Sequence, residues 1–505
     1  MKLKIFSLVI FIFFSVASCV NNEHLIEDEA YRDSVNEKFQ ERKELFSKHG
    51  NDLFTIFNTN LSTAESEALK FLFAYMPLSD IADYDGRFFL DNASLALKAR
   101  EQKDWGKIIP ENIFLHFVLP VRVNNENLDS FRLAYFDEIH ERIGDLNNIE
   151  EAALEINHWC HEKVAYQPAD IRTSAPMATV LSARGRCGEE STFTVAALRT
   201  AGIPARQIYT PRWAHSDDNH AWVEVWVEGE WKYLGACEPE PVLDRGWFTE
   251  PARRAMLTHT LAFGLYRGDD NIIKKKDNYS EINTLTKYAR TKTILIKVLD
   301  ARKKAAAGAI VEPRLYNFAE FYPLAELETD DQGFCRFETG LGDLLIWASK
   351  GNSFTFEKIS VEETDTLILQ LGSHEDIEDF YEFDMQPPVK HIPFPDTVPL
   401  HMKQENAERL KTEDSIRYAY MNTWMNDREA VGLALSMDMD TARVKNLIDK
   451  SMGNYSEIST LMKKVPGKYR ELMLELLEVV AEKDLRDTRA FILEDHILQT
   501  ADYYK

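Results

Sequence analysis

The chain is expected to be an α+β protein: a central mixed core, a helical extension before it, and an all-β unit and a helical segment after it. Three observations predict this. Between residues 25 and 150, and again from 405 to 505, apolar residues recur at helical spacing. A helical pattern starting at Cys187 is followed by His220-Ala221-Trp222-Val223-Glu224-Val225-Trp226-Val227, the turn Glu228-Gly229 and Trp231-Lys232-Tyr233-Leu234, an alternating β-hairpin with one aliphatic face. From Thr293 onward alternating runs follow one another, separated by turn residues such as Asp330-Asp331-Gln332-Gly333.

In chain order, the first element concerns address rather than fold. Met1-Lys2-Leu3-Lys4 is basic, Ile5 to Phe14 is apolar, and Val16-Ala17-Ser18-Cys19 has the small residues ahead of a cysteine that a bacterial lipobox has. The apolar run falls short of the about 20 residues a spanning helix needs. Residues 1–18 are therefore expected to be a cleaved lipoprotein signal peptide and Cys19 the lipidated residue. The protein would be anchored to a bacterial membrane, facing the periplasm or the cell surface. Residues 19–149 then form a tether and a helical extension, in which Ser62-Thr63-Ala64-Glu65 resembles a capping box ahead of Ala68, Leu69 and Leu72, and Leu128 to Ile143 is amphipathic.

Residues 150–277 carry the chemistry. Asn157-His158-Trp159-Cys160-His161 does not have metal-ligand spacing and has no partner cluster downstream, so a helix ending near the core is the better reading. Cys187 opens a helix in which Phe193, Ala196, Ala197 and Leu198 recur, and Gly202-Ile203-Pro204 stops it. A helix N-terminus presents unpaired N–H groups and a positive dipole end, which favour thiolate and can hold an oxyanion. His220, at the head of a strand, can be aimed at that helix end as the base of a Cys–His pair.

The strings Gly185-Arg186-Cys187-Gly188-Glu189, Ala197 to Arg206, and His220-Ala221-Trp222-Val223-Glu224-Val225 with Trp231 resemble the core of the transglutaminase-like superfamily, which includes transglutaminases, bacterial transglutaminase-like peptidases and peptide N-glycanases. The resemblance implies a papain-like α/β core with Cys187 as nucleophile and His220 as general base. The family's orienting acid, usually Asp, would fall at Gly235. Glu238 is the nearest carboxylate that could replace it, with Glu240 and Asp244 behind, if a bulge re-aims the chain. Cys237 either packs inertly beside the site or comes close enough to Cys187 to oxidise with it.

Beyond the core, residues 285–375 are expected to form a β-sandwich similar to the small prealbumin-like modules of extracellular enzymes. Residues 384–404, with Pro387, Pro388, Pro393, Pro395 and Pro399, read as a linker. Residues 405–505 read as a C-terminal helical region.

Composition narrows the function. With a net charge of -24 and no basic block, nucleic acid is excluded as a natural partner. Cys160, Cys187, Cys237 and Cys335 are too few and scattered for a disulfide framework. No cofactor or metal is called for. The expectation is a lipid-anchored thiol enzyme acting on amide bonds of peptides, glycopeptides or cell-wall peptides, with hydrolysis favoured over cross-linking because bacterial members of the superfamily are often peptidase-like. Trp213, Trp222 and Trp247 either line its cleft or belong to its core. The alternative is a non-catalytic binding or scaffold module at the cell envelope, in which Gly235 marks decay of the site.

Overall fold

A computed structural model describes residues 24–46, 52–372, 381–382, 384–390, 393 and 395–503. The expected signal peptide and Cys19 lie outside the described residues.

The N-terminal helices and the central helix share one core. Helices Glu29–Phe46, Thr63–Tyr75 and Gly86–Gln102 bury Phe39, Phe73 and Phe89 against one another, and the same cluster runs on through Trp159, Phe193, Leu198, Val223 and Val225. Ser62 caps Thr63–Tyr75, its hydroxyl accepting from Glu65 N–H while the Glu65 carboxylate accepts from Ser62 N–H. That reciprocal pairing satisfies two otherwise orphaned donors.

A short parallel pair, β1 (Ala165–Tyr166) and β2 (Arg184–Gly185), leads into the central helix Cys187–Thr200. That helix stops as its sequence implies. Gly202 takes φ +75° and sits so close to Ala99 that a Cβ would lie 3.1 Å from the alanine methyl, and the Ile203 N–H closes on Leu198 O at 2.9 Å. The chain then enters an antiparallel sheet of β3 (Ala205–Thr210), β4 (His220–Val227), β5 (Glu230–Leu234), β6 (His259–Phe263), β7 (Asn271–Lys275) and β8 (Tyr279–Asn283), in the order β5-β4-β3-β6-β8-β7. Alternation along β4 splits its residues: Val223, Val225 and Val227 pack with the helical core, whereas Trp222 joins Ile208, Trp213, Tyr233 and Phe248 in a separate cluster.

The β-sandwich follows. β9 (Thr291–Leu299), β13 (Phe334–Gly340) and β16 (Thr366–Gln370) form one sheet, with β16 parallel to β9. β10 (Ile310–Asn317), β11 (Glu320–Pro323), β12 (Leu327–Glu328), β14 (Asp343–Lys350) and β15 (Ser353–Ser360) form the other. Ile294, Ile296, Val311, Leu344 and Ile346 fill the space between them.

Helix Leu400–Met421 starts inside the proline-rich stretch expected to be linker, because Pro399 stands at its N-cap, outside the helical ladder where a missing N–H costs nothing. It packs along helix Ile149–Lys163, where His158 meets Glu413 at 2.9 Å and Arg409 meets Glu155 at 2.7 Å. The remaining C-terminal helices have their own apolar core around Leu447, Ile458, Leu461 and Leu474.

Candidate active site

Cys187 is the first residue of the central helix and is half-buried, whereas almost every residue from Glu189 to Thr200 is buried. Glu189, the third residue, turns its carboxylate back to accept from Arg186 N–H at 2.8 Å and pairs with the Arg186 guanidinium at 3.0 Å. Ser191 and Thr192 hydroxyls donate to the carbonyls of Cys187 and Gly188. Gln207 on β3 donates to Ser191 Oγ at 2.7 Å and to Gly188 O at 3.2 Å, and accepts from Asn124. The first turn is thus held from both sides, with its N–H groups free of helical partners.

The expectation that the helix end depresses the thiol pKa is corrected by burial. Desolvation pushes Cys187 up to about 11. The Ala221 amide and the Arg186 charge pull toward thiolate, and Glu190 and Glu189 push against it. His220 keeps 7% exposure, and burial alone brings its pKa down to about 3. At neutral pH both groups are uncharged, so no ion pair is preformed.

The backbone brings the two together: Ala221, whose amide faces the thiol, directly follows His220. The His220 ring packs on Phe248 and Trp222, with centroids at 5.0 and 5.8 Å, and under Trp247 at 4.6 Å. Among the described residues no hydrogen bond joins the imidazole to the thiol or to a carboxylate.

Glu238 stands where Gly235 leaves room. A Cβ built on Gly235 would lie 3.1 Å from Glu238 Cβ and 3.2 Å from its Oε2, so the Glu238 side chain fills the space an acid at 235 would need. The chain folds back to do this, with the Glu238 N–H on Gly235 O at 3.3 Å and Cys237 at φ 56°. The carboxylate does not reach the imidazole directly; it accepts from Trp247 Nε1 at 3.0 Å. Trp247 is 59% exposed, while Trp213 and Trp222 are core residues. Burial raises the Glu238 pKa, and the buried Glu190 beside it is raised well above the carboxylate range. Burial also raises the Glu240 pKa, against the pull of the Arg245 charge, and Asp244 accepts from Tyr233 N–H.

A cleft of about 380 Å³ opens on Cys187 and Gly188, lined also by Asn124, Ile171, Arg212 and Ala221. The β-sandwich holds one wall. Asn317 donates to Trp213 O and Ser216 O at 2.8 Å, and Glu320 and Tyr322 hold Arg212, in the loop that leads to His220.

Two conspicuous residues of the β3–β5 signature serve the fold. Arg206 pairs with Glu224 at 2.7 Å inside the sheet and stacks on Trp231 at 4.0 Å, and Tyr288 donates to Glu224. Cys237 is buried and packs with Cys160 and with Thr194 Oγ1 at 3.6 Å. His161 bonds Cys237 O at 2.8 Å and His158 bonds Glu413, so neither histidine of that helix is presented to the cleft. Among the described residues no group of three or more His, Cys, Asp or Glu side chains could hold a metal ion.

Gln207, Glu190, Trp247's cover over His220 and the Ala221 amide were not legible as site features. Gln207 had one weak signal, a polar side chain on the face of β3 that packs against the helix.

A partly exposed cysteine at the head of a buried helix, packed on an antiparallel sheet whose second strand begins with histidine, defines a cysteine enzyme in the broad sense. Residues 137–236 match the transglutaminase-like superfamily, and the match falls within a mixed α+β architecture. Among solved structures, a candidate cysteine protease from Cytophaga hutchinsonii is similar at 17% identity, covering 32% of this chain and 61% of that one, with a TM-score of 0.21. The chain thus spans less than two thirds of that protein's length. No curated protein matches.

Proposed function

We propose that the protein is a lipid-anchored thiol hydrolase of the bacterial cell envelope that cleaves amide bonds in peptides or glycopeptides. Neutral His220 takes the thiol proton as Cys187 Sγ attacks the carbonyl carbon, because neither group is charged beforehand. First-turn N–H groups stabilise the oxyanion. Collapse breaks the C–N bond, the imidazolium returns its proton to the leaving amine, and a thioester remains on Cys187. Water, deprotonated by His220, then attacks the thioester, releasing the acid and restoring the thiol. Glu238 acts through the indole of Trp247, which it holds against the imidazole.

The observation that carries this reading is the cleft of about 380 Å³ ending on a half-buried Cys187 at a helix N-terminus, with the amide that follows His220 against the sulfur. The absence of a carboxylate on His220 among the described residues favours the second reading, a binding module. Purified full chain and Cys187→Ala are compared on casein and cell-wall peptides, with and without dansylcadaverine. Loss of peptide release in the variant supports hydrolysis. Amine incorporation would replace hydrolysis with transamidation, and identical behaviour of the two proteins leaves the binding module. Palmitate labelling that Cys19→Ala abolishes tests the anchor.

A further inference from the structure

The C-terminal helices reach the candidate site through one buried cation. Lys483, on the short helix Glu482–Asp487, is 4% exposed. Its ammonium donates to Asp170 O at 2.8 Å, to Arg172 O, and to Glu189 Oε1 at 2.9 Å, with the Asp170 carboxylate at 3.2 Å. All three of its donors are used. Glu189 is the residue that turns back over the start of the central helix. Asp170 and Arg172 belong to the loop 167–174, from which Ile171 and Thr173 line the cleft.

The same short helix grips the loop a second time, Arg172 meeting Asp487 at 2.8 Å and Asp484 at 3.3 Å. From the other side, Arg186 Nη2 donates to Ile171 O at 2.9 Å. Nearby, the turn at Gly453 sits so close to Leu181 O that a Cβ there would approach it to 2.1 Å. A buried ammonium loses its hydration and is tolerated only where fixed acceptors replace the water. Here those acceptors are the cleft loop and the helix cap, so docking of the C-terminal helices and the shape of the cleft wall are one event. Ile171, 90% exposed, is left as an apolar side chain at the rim.

We propose that Lys483 is a positioning residue: the C-terminal helices clamp the loop 167–174 onto the first turn of the central helix and thereby set the wall, with Ile171 as its apolar contact for a substrate side chain. The substrate part rests on the thiol-enzyme reading; the clamp does not.

The test uses the full chain, Lys483→Met, and the double variant Asp484→Asn/Asp487→Asn, which weakens only the more exposed grip on Arg172. Two quantities are read on folded protein: native trypsin cleavage after Arg172 by mass spectrometry, and the ratio of Cys187 alkylation rates by fluorescein maleimide and iodoacetamide. Cleavage is expected to rise about tenfold or more in Lys483→Met and by a smaller factor in the double variant, since proteolysis follows the population of the open form. The rate ratio is expected to shift toward the bulkier reagent, which a loss of global stability alone would not do. Cleavage and ratio at wild-type values in Lys483→Met overturn the clamp. If that variant does not fold, the same result in the double variant overturns it. Neither readout needs turnover, so the clamp can fail while Cys187→Ala still abolishes activity, and the reverse.

Discussion

Placing an aspartate at position 235 tests whether Glu238 has taken the room there. In Gly235→Asp the new Cβ lies 3.1 Å from Glu238 Cβ and 3.2 Å from both Glu238 O and Oε2. Crowding of that degree in a packed site costs about 1–3 kcal/mol. Two carboxylates about 4 Å apart add up to about 4 kcal/mol at an effective dielectric of about 20, less whatever protonation relieves, and Glu238 already has a raised pKa. A net loss of about 2–4 kcal/mol is expected. Glu238→Ala alone removes the acceptor of the Trp247 indole and costs about 1 kcal/mol. In the double variant the aspartate gains the vacated space, so the losses fall short of their sum by about 2 kcal/mol. Urea denaturation followed by tryptophan fluorescence, with unchanged m values, measures all four proteins. Additivity within about 0.5 kcal/mol would refute the shared-space account.

Alkylation of Cys187 by iodoacetamide should keep accelerating toward pH 11, following the raised thiol pKa; a plateau at or below the ordinary value of about 8.5 contradicts the burial argument. His220 is neutral in the fold down to about pH 3, so its contribution to stability is present above its ordinary pKa of about 6.5 and is lost as pH falls from there toward 3. His220→Phe should therefore show a smaller drop in urea midpoint between pH 7 and 4, and equal drops in the two proteins would count against it. Arg206→Met leaves the fully buried Glu224 without its cation. Thermal or urea unfolding should register a loss of about 3 kcal/mol, partly recovered in Arg206→Met/Glu224→Leu; a loss below about 1 kcal/mol would mean that Tyr288 alone satisfies Glu224.

Much of the core was readable because its signals are local. The stop at Gly202-Ile203-Pro204 requires a positive φ and ends the helix in place, and the alternation in His220–Val227 assigns its valines to one face. Both are consequences of backbone geometry acting over a few residues. The thiol's ionisation does not follow from the sequence, because a helix dipole can be inferred from local pattern whereas desolvation depends on what covers the sulfur. Glu238 was identified as the spare acid, but its contact with Trp247 instead of His220 follows from how the chain folds back from Gly235 to Glu238.

Sequence alone determined the helix-then-hairpin order, the place of Cys187 at the head of a helix and of His220 at the head of a strand, and the glycine at 235, since each is written in residues close together in the chain. Tertiary structure alone decided the protonation of the pair, the packing of Cys237 with Cys160, and the attachment of Lys483 to Glu189. These depend on solvent exclusion and on contacts between residues far apart in the chain, about which local periodicity carries no information.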